Sequence, residues 1–261
     1  MPEGHVIHRI ARDHRRDFAG QQLTVCSPQG RFAAGAECLD GRTLADVAAH
    51  GKHLVYDWDG VLLHVHLGLY GKFRRHRQPL PPPRGAVRLR IEGESLGFDL
   101  NGPTACELFT EEQFAELRGR LGPDPLDRNA DAELACRRIR RSRAAIGKLL
   151  LDQSVIAGVG NVYRAEALFI ERIDPERAGN SLSDGEVESL WQKLVDLMRI
   201  GVRHNRIITA PPAEVGKPPS RMNRKERLLV YKKTNCTACD GPVDRWDLGA
   251  RTIYACRRCQ T

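Results

Sequence analysis

Near the end of the chain runs Cys236-Thr-Ala-Cys239-Asp-Gly-Pro-Val-Asp-Arg-Trp-Asp-Leu-Gly-Ala-Arg251-Thr-Ile-Tyr-Ala-Cys256-Arg-Arg-Cys259-Gln260. Two Cys-x-x-Cys pairs separated by sixteen residues have the spacing by which two tight turns present four thiolates tetrahedrally to zinc. Redox-active pairs are the alternative, but two symmetric pairs within 24 residues favour a metal. Pro242-Val243 and Ile253-Tyr254 are strand-like and Asp247-Leu248-Gly249 suits a turn, so the spacing predicts a β-hairpin ribbon holding one structural Zn2+ on Cys236, Cys239, Cys256 and Cys259. Such sites are mostly closed and without a catalytic role. Arg245, Arg251, Arg257 and Arg258 make the surface of this ribbon basic.

Outward from the ribbon, Thr209 to Ser220 carries four prolines and reads as a loop or linker. Before it the pattern is helical: Asp131 to Arg140, Ala144 to Leu151, Val162 to Glu171, and Asp184 to Arg203 with Ser183 and Glu186 as a capping box. Between the second and third lies Gly158-Val-Gly160-Asn161, where glycines beside a helix start let backbone N–H groups approach an anion. Most such turns are only turns. Gly122-Pro-Asp-Pro125 reads as a domain boundary. The half before it is strand-rich: Leu54 to Trp58 and Val61 to Leu67 flank the turn Asp59-Gly60, and Val87 to Ile91 and Leu96 to Leu100 form a second hairpin. Gln78 to Gly85 is a loop, and Thr110 with Gln113 caps a short helix ending near Arg120. Pro2 to Phe18 reads as an opening helix, with Val6, Ile7, Ile10, His14 and Phe18 on one face.

The expected fold is therefore α+β: an N-terminal helix plus two-layer β-sandwich (1–122), a helical domain (123–227) and the four-cysteine ribbon (228–261). The 261 residues, 41% of them hydrophobic, suffice for a substantial core. Forty-one Lys and Arg against 33 Asp and Glu give a net charge of +8, which favours a polyanionic partner without identifying one. Charges interrupt Met1 to Gly20, so no secretory signal is expected. No stretch has the length of a membrane span, and a monomeric cytoplasmic protein is expected. Cys26, Cys38, Cys106 and Cys136 read as buried free thiols. His64 and His66 share a strand face and read as core or surface histidines rather than metal ligands.

These pieces, in this order, resemble the bacterial formamidopyrimidine-DNA glycosylase and endonuclease VIII family across essentially the whole chain. The motifs are Pro2-Glu3-Gly4, Gly51-Lys52-His53-Leu54, a helix-two-turn-helix run from Leu149 to Phe169, and the ribbon from Arg251 to Gln260. The resemblance implies a bifunctional glycosylase and lyase acting on DNA that contains oxidised bases or abasic sites, in duplex, bubble or single-stranded form. It makes Pro2, as a free amine after removal of Met1, the nucleophile, with Glu3 as proton shuttle and Lys52 assisting at the tip of a hairpin. It assigns Asn161 and Arg251 to a phosphate beside the lesion, and Leu69 and Tyr70 to the void left by an extruded nucleotide, with Lys72, Arg74, Arg75 and Arg77 behind them on phosphates. Read without it, Pro2-Glu3 is an ordinary helix start, Lys52, Asn161 and Arg251 are solvated polar side chains, and Leu69-Tyr70 could belong to the core.

The formamidopyrimidine branch carries an Arg and a Phe in the loop that here corresponds to Asn101-Gly-Pro-Thr-Ala-Cys106, and neither is present. Together with Pro-Glu-Gly and the Leu-Tyr pair, this favours the endonuclease VIII branch and oxidised pyrimidines. Excision of oxidised purines is the competing enzymatic reading, and a DNA-damage binder with weak turnover the competing class. Lys148, Asn161 and Arg251 would serve a binder equally well. His5-Val6 stands where the family usually has Pro-Glu, so one acidic residue is missing near the expected active site.

Overall fold

The computed structural model describes residues 2–261, which divide into two compact units: Ile7–Arg120 together with Glu3 and its neighbour Pro2, and Leu121–Thr261 together with Gly4–Val6.

The first unit begins with helix α1 (Gly4–Phe18), whose initial turn is grouped with the second unit. Its buried residues Ile7, Ala11, His14 and Phe18 recur at helical spacing. The helix starts two residues later than the sequence suggests, because Glu3 is its N-cap in an extended conformation (φ −108°, ψ 171°). Next come β1 (Thr24–Cys26), α2 (Ala33–Leu39), β2 (Asp46–His50), β3 (His53–Trp58), β4 (Val61–His66), β5 (Lys72–Arg77), β6 (Val87–Glu92), β7 (Leu96–Asn101), β8 (Ala105–Phe109) and α3 (Glu111–Arg120). The strands form two antiparallel four-stranded sheets, ordered β1-β6-β7-β5 and β2-β3-β4-β8. Alternate residues from each, Leu54, Tyr56 and Trp58 from one and Leu89, Ile91, Phe98 and Leu100 from the other, join α1 in a single core. The Thr110–Gln113 capping box is present, each backbone N–H donating to the other's side chain.

Two buried polar pairs sit in this unit. His14 is stacked on Phe98 at 4.3 Å, with Nδ1 2.7 Å from the Tyr56 hydroxyl. Arg90 donates to both carboxylate oxygens of Asp99, at 2.6 and 2.9 Å. Of the four scattered cysteines, Cys106 and Cys136 are buried as expected, but Cys26 is exposed and Cys38 half-buried. On β1 it is Val25 that faces the core, so its neighbour Cys26 points outward.

In the second unit, α4 (Ala132–Arg140) is capped by the Asp131 carboxylate accepting from the Leu134 amide at 2.9 Å. The helix expected over Ala144 to Leu151 contracts to α5 (Ile146–Leu149). The Ile146 and Gly147 amides donate to the Arg177 and Pro175 carbonyls, and Ala145 forms a β-bridge with Ala178, so the neighbouring segment takes the groups that a longer helix would use. After α6 (Asn161–Ile170) comes α7 (Asp184–His204), carrying the expected Ser183–Glu186 capping box. Arg177, along with the Ser183 amide, holds the Glu186 carboxyl down at about 2. The proline-rich segment contains a short helix, α8 (Pro212–Val215). The ribbon strands are β9 (Asp244–Asp247) and β10 (Thr252–Ala255), so the first begins after Val243 rather than at Pro242.

Glu166 of α6 is fully buried and ties this unit together. It accepts from the amides of Leu229, Val230 and Tyr231 at 2.8, 2.9 and 2.7 Å, and from the Thr209 hydroxyl. The Thr209 amide donates to the Arg227 carbonyl at 2.9 Å, so segment 210–228 leaves and returns at one carboxylate.

Candidate nucleic-acid interface and metal centre

In the first unit the strand register gathers three predicted features at one end of a sheet. Gly51 (φ +59°) and Lys52 are the two-residue turn between β2 and β3, which puts Lys52 at a hairpin tip. His53 pairs with His66, and His66 with Ala105. The segments leaving this edge are therefore Leu67 to Gly71 after β4 and Gly102 to Thr104 before β8. Among the described residues the exposed large apolar side chains are Leu69 (53%), Tyr70 (84%) and Ile200 (38%). Leu69 and Tyr70 are thus not core residues. An apolar pair held in water beside a basic strand costs solvation unless it meets a partner. Lys72, Arg74, Arg75 and Arg77 follow on β5, an edge strand, and all four are exposed, while Phe73 and His76 are half-buried. Arg75 also pairs with Asp17 at 2.7 Å. The connection from β7 to β8 is only three residues, Gly102 to Thr104, and Thr104 donates its amide to the His66 carbonyl at 2.8 Å.

In the second unit the Gly158–Asn161 turn leads directly into α6, a ten-residue helix whose first residue is Asn161. Gly4, next in the chain after Glu3, donates its amide to the Gly158 carbonyl at 2.8 Å. A Cβ on Gly4 would lie 2.9 Å from the Gly158 Cα and 2.8 Å from Met198 Cε, so only glycine permits this approach. Gly158 itself has φ +87° and is held by Gln153, which accepts from its amide at 3.0 Å. His5 is buried edge-on against Tyr163 at 5.3 Å, and burial lowers it to about 4, so it is neutral at neutral pH.

Asn161 and Arg251 are brought together by a residue that the sequence reading missed, Arg164. Fully buried, it donates to Asn161 Oδ1 at 2.5 Å and to the Gly147, Leu248 and Arg251 carbonyls at 3.1, 3.0 and 3.3 Å. Asn161 Nδ2 donates in turn to the Thr252 carbonyl at 2.9 Å. The start of α6 and the ribbon turn bearing Arg251 are therefore one hydrogen-bonded assembly. The signal available in the sequence was a pair of charges, Arg164 and Glu166, inside an otherwise apolar helix. N–H groups at a helix start, an oriented amide and a guanidinium together suit a phosphate.

The four ribbon cysteines place their sulfurs within 4.8 Å of one another. Cys236 and Cys259 are 3.8 Å apart and Cys239 and Cys256 3.6 Å, close to the ~3.8 Å edge of a tetrahedron with zinc–sulfur bonds of about 2.3 Å. The set fits one thiophilic metal ion. Gln260 supports it, accepting from the Cys256 amide at 2.9 Å and donating to the Ile173 carbonyl at 2.9 Å. Of the basic ribbon residues, Arg257 is engaged by Glu176 at 3.0 Å and lies over the Trp246 ring at 4.4 Å.

Residues 1–101 match the model of the formamidopyrimidine-DNA glycosylase N-terminal domain, and residues 121–211 that of the formamidopyrimidine-DNA glycosylase H2TH domain. Over 268 aligned residues, all of both chains, the sequence is 46% identical to endonuclease 8 1 of Mycobacterium tuberculosis. The chain belongs to the formamidopyrimidine-DNA glycosylase and endonuclease 8 family. Members of this family are DNA-repair glycosylases with lyase activity at abasic sites. A formamidopyrimidine-DNA glycosylase of Methylococcus capsulatus is 31% identical, covering all of this chain and 98% of its own. The family fold is matched by the wild-type Lactococcus lactis Fpg in complex with DNA containing N7-benzyl-Fapy-dG, at TM-score 0.83, 22% identity and 99% of each chain. The same enzyme complexed with DNA containing an abasic site aligns at 0.82. Among the described residues no helix is long and apolar enough to cross a membrane.

Proposed function

We propose that this family member excises oxidised pyrimidines from DNA and cleaves the strand at the resulting abasic site, using the amine of Pro2 as nucleophile. The observation that carries the reading is the Pro2-Glu3-Gly4 start with Gly4 seated on the Gly158 turn, which gives the chain start a defined position. Met1, whose removal the chemistry requires, lies outside the described residues. A terminal proline amine with a pKa near ~8 keeps a usable neutral fraction at neutral pH. It attacks C1′ of the damaged nucleotide, and the base departs with a proton supplied by Glu3, which is buried. The opened sugar forms an iminium ion with the secondary amine. That cation acidifies the C2′ proton, whose loss expels the 3′ phosphate, and a second elimination expels the 5′ phosphate.

The remaining residues have supporting roles. Lys52 contacts the damaged nucleotide from the hairpin tip. Asn161 and Arg251, with the N–H groups of the Gly158–Gly160 turn, hold the neighbouring phosphate. Leu69 and Tyr70 enter the gap left by the extruded nucleotide. The metal is zinc; when bound it fixes the ribbon fold and takes no part in the chemistry. The ribbon, 228–261, is proposed as a module of its own beside the sandwich (1–122) and the helical domain (123–227), and the protein as a cytoplasmic monomer.

Pyrimidine preference rests on the three-residue connection Gly102 to Thr104, which carries neither the Arg nor the Phe expected of a purine-specific member. Borohydride trapping on duplexes carrying thymine glycol, 8-oxoguanine or an abasic site tests the whole reading. A covalent adduct with thymine glycol, absent when Met1 is retained, is expected. An adduct confined to 8-oxoguanine and abasic duplexes would reassign the substrate to purines, and binding with no adduct at all would leave a zinc-dependent binder.

A further inference from the structure

Behind Lys52 the outer face of the β2-β3-β4-β8 sheet carries a run of histidines linked in series. His66 Nδ1 lies 3.0 Å from the Lys52 carbonyl oxygen. The His66 ring stacks on His53 at 4.7 Å and 24°, and His53 stacks on His64 at 5.1 Å and 25°. His53 Nδ1 is 2.9 Å from His64 Nε2, and His64 Nδ1 is 3.1 Å from Glu107 Oε1. On its far face His64 stacks on Phe109 at 4.5 Å.

The acceptors determine the proton positions. A carbonyl oxygen only accepts, so His66 must carry its proton on Nδ1. A carboxylate likewise accepts from His64 Nδ1–H. A neutral His64 then offers Nε2 as an acceptor, which requires His53 to donate from Nδ1. His53 and His64 are thereby neutral Nδ1–H tautomers, and His66 likewise carries a proton on Nδ1. Burial works in the same direction: it lowers His53 to about 3, aided by the fields of His66, His64, His50 and Arg120. It also lowers His64, against the opposing pull of Glu107. His64 itself is buried.

We propose that Glu107, His64 and His53 are positioning residues for Lys52, acting through His66 to hold the carbonyl of the hairpin tip in one place. Gly51 opens the two-residue turn that the His50–His53 pair closes, and the His66 bond to the Lys52 carbonyl adds a restraint on that tip from the neighbouring strand. His66 is itself packed against His53, and the series ends on the carboxylate of Glu107 on β8. The proposal rests on the reading that Lys52 serves catalysis.

The test combines five proteins: wild type, Glu107→Leu, Glu107→Gln, Lys52→Met, and Glu107→Leu in the Lys52→Met background. Single-turnover and steady-state excision are measured on a thymine glycol duplex, and nitrogen NMR reads the histidine tautomers. Glu107→Leu is expected to lower kcat roughly tenfold with little change in KM. Glu107→Gln, which keeps an acceptor oxygen, should restore most of that loss, and Glu107→Leu should cost nothing further once Lys52 is gone. His53, His64 and His66 should each show the Nδ1–H tautomer in the wild type, and His53 and His64 should lose it in Glu107→Leu. An Nε2–H or doubly protonated His64 at neutral pH overturns the proposal. So does an equal cost of Glu107→Leu in both backgrounds, which would leave the Lys52 reading standing. If Lys52→Met alone leaves excision intact, both fall together.

Discussion

Arg164 and Asn161 stand one helical turn apart in α6, and the guanidinium of the first donates to the side-chain oxygen of the second at 2.5 Å. That bond orients the amide, because Asn161 must then turn Nδ2 toward the ribbon, where one of its protons goes to the Thr252 carbonyl. A second Nδ2 proton remains for a ligand. Replacing Arg164 with Met keeps the apolar stem but strands the Gly147 and Leu248 carbonyls, whereas the Arg251 carbonyl keeps the Leu248 amide as donor. A loss of roughly 2–4 kcal/mol is expected from buried acceptors left unpaired, read as a lower urea midpoint. Affinity for abasic DNA should fall as well, since the Asn161 amide is no longer held.

Arg251 contributes its backbone carbonyl to this assembly, so Arg251→Ala should leave the ribbon folded. DNA affinity should fall on every sequence, and the slope of log affinity against log salt should flatten by about one phosphate contact. An unchanged slope, measured by fluorescence anisotropy across salt concentrations, would remove Arg251 from the interface.

Tyr70 and Leu69 are exposed, at 84% and 53%, so replacing both with Ala should change stability by no more than about 0.5 kcal/mol. Excision from duplex DNA should nonetheless drop severalfold, and excision from single-stranded DNA much less, because a single strand has no stack to refill. Comparing the two substrates under single turnover separates a wedge from a general binding surface.

Gly4 should tolerate no side chain. Gly4→Ala drives a methyl into the Gly158 Cα and Met198 Cε, which displaces the chain start rather than the core. Borohydride adduct formation should fall at least tenfold, with little change in melting temperature. Adding Met198→Ala should not restore it, since the Gly158 backbone still blocks the methyl.

His14 makes the first unit acid-sensitive. Burial lowers it to about 3, against 6.5 when exposed. Above pH 6.5 both folded and unfolded chains are neutral there and nothing is lost. As pH falls from 6.5 toward 3 only the unfolded chain takes up the proton, so stability declines, by roughly 2–3 kcal/mol at pH 4.5. His14→Phe should be less stable at pH 8, because the Tyr56 hydroxyl loses its partner, yet show a flatter fall in melting temperature with acid.

Elements whose signal is local were legible in the sequence. The Ser183–Glu186 and Thr110–Gln113 boxes, the Asp59-Gly60 turn and the cysteine spacing each depend on a few adjacent residues, and all appear where expected. What was missed depends on distant partners. Strands β1, β2, β5 and β8 are short or charged and become strands only by pairing with neighbours. The shortened α5 lost its first amides to segment 175–178, a competition no local pattern records. At the candidate site, Lys52, Asn161 and Arg251 were expected from motifs, whereas Arg164 and Glu107 were not. Their meaning lies in hydrogen bonds that cross 87 and 43 positions of the chain.

Glu166 grips both ends of segment 210–228, so that stretch is mechanically a bight in a rope whose crossing is already tied. Its closure entropy is settled at the knot, and added length would raise it only logarithmically. Lys217, Arg221, Arg224 and Lys225 ride on it. Its reach and cationic load can therefore be rewritten by insertion, deletion or recombination without disturbing helices α4 to α7 or the ribbon. Evolution has in this one carboxylate a socket into which loops of different shape and charge can be fitted.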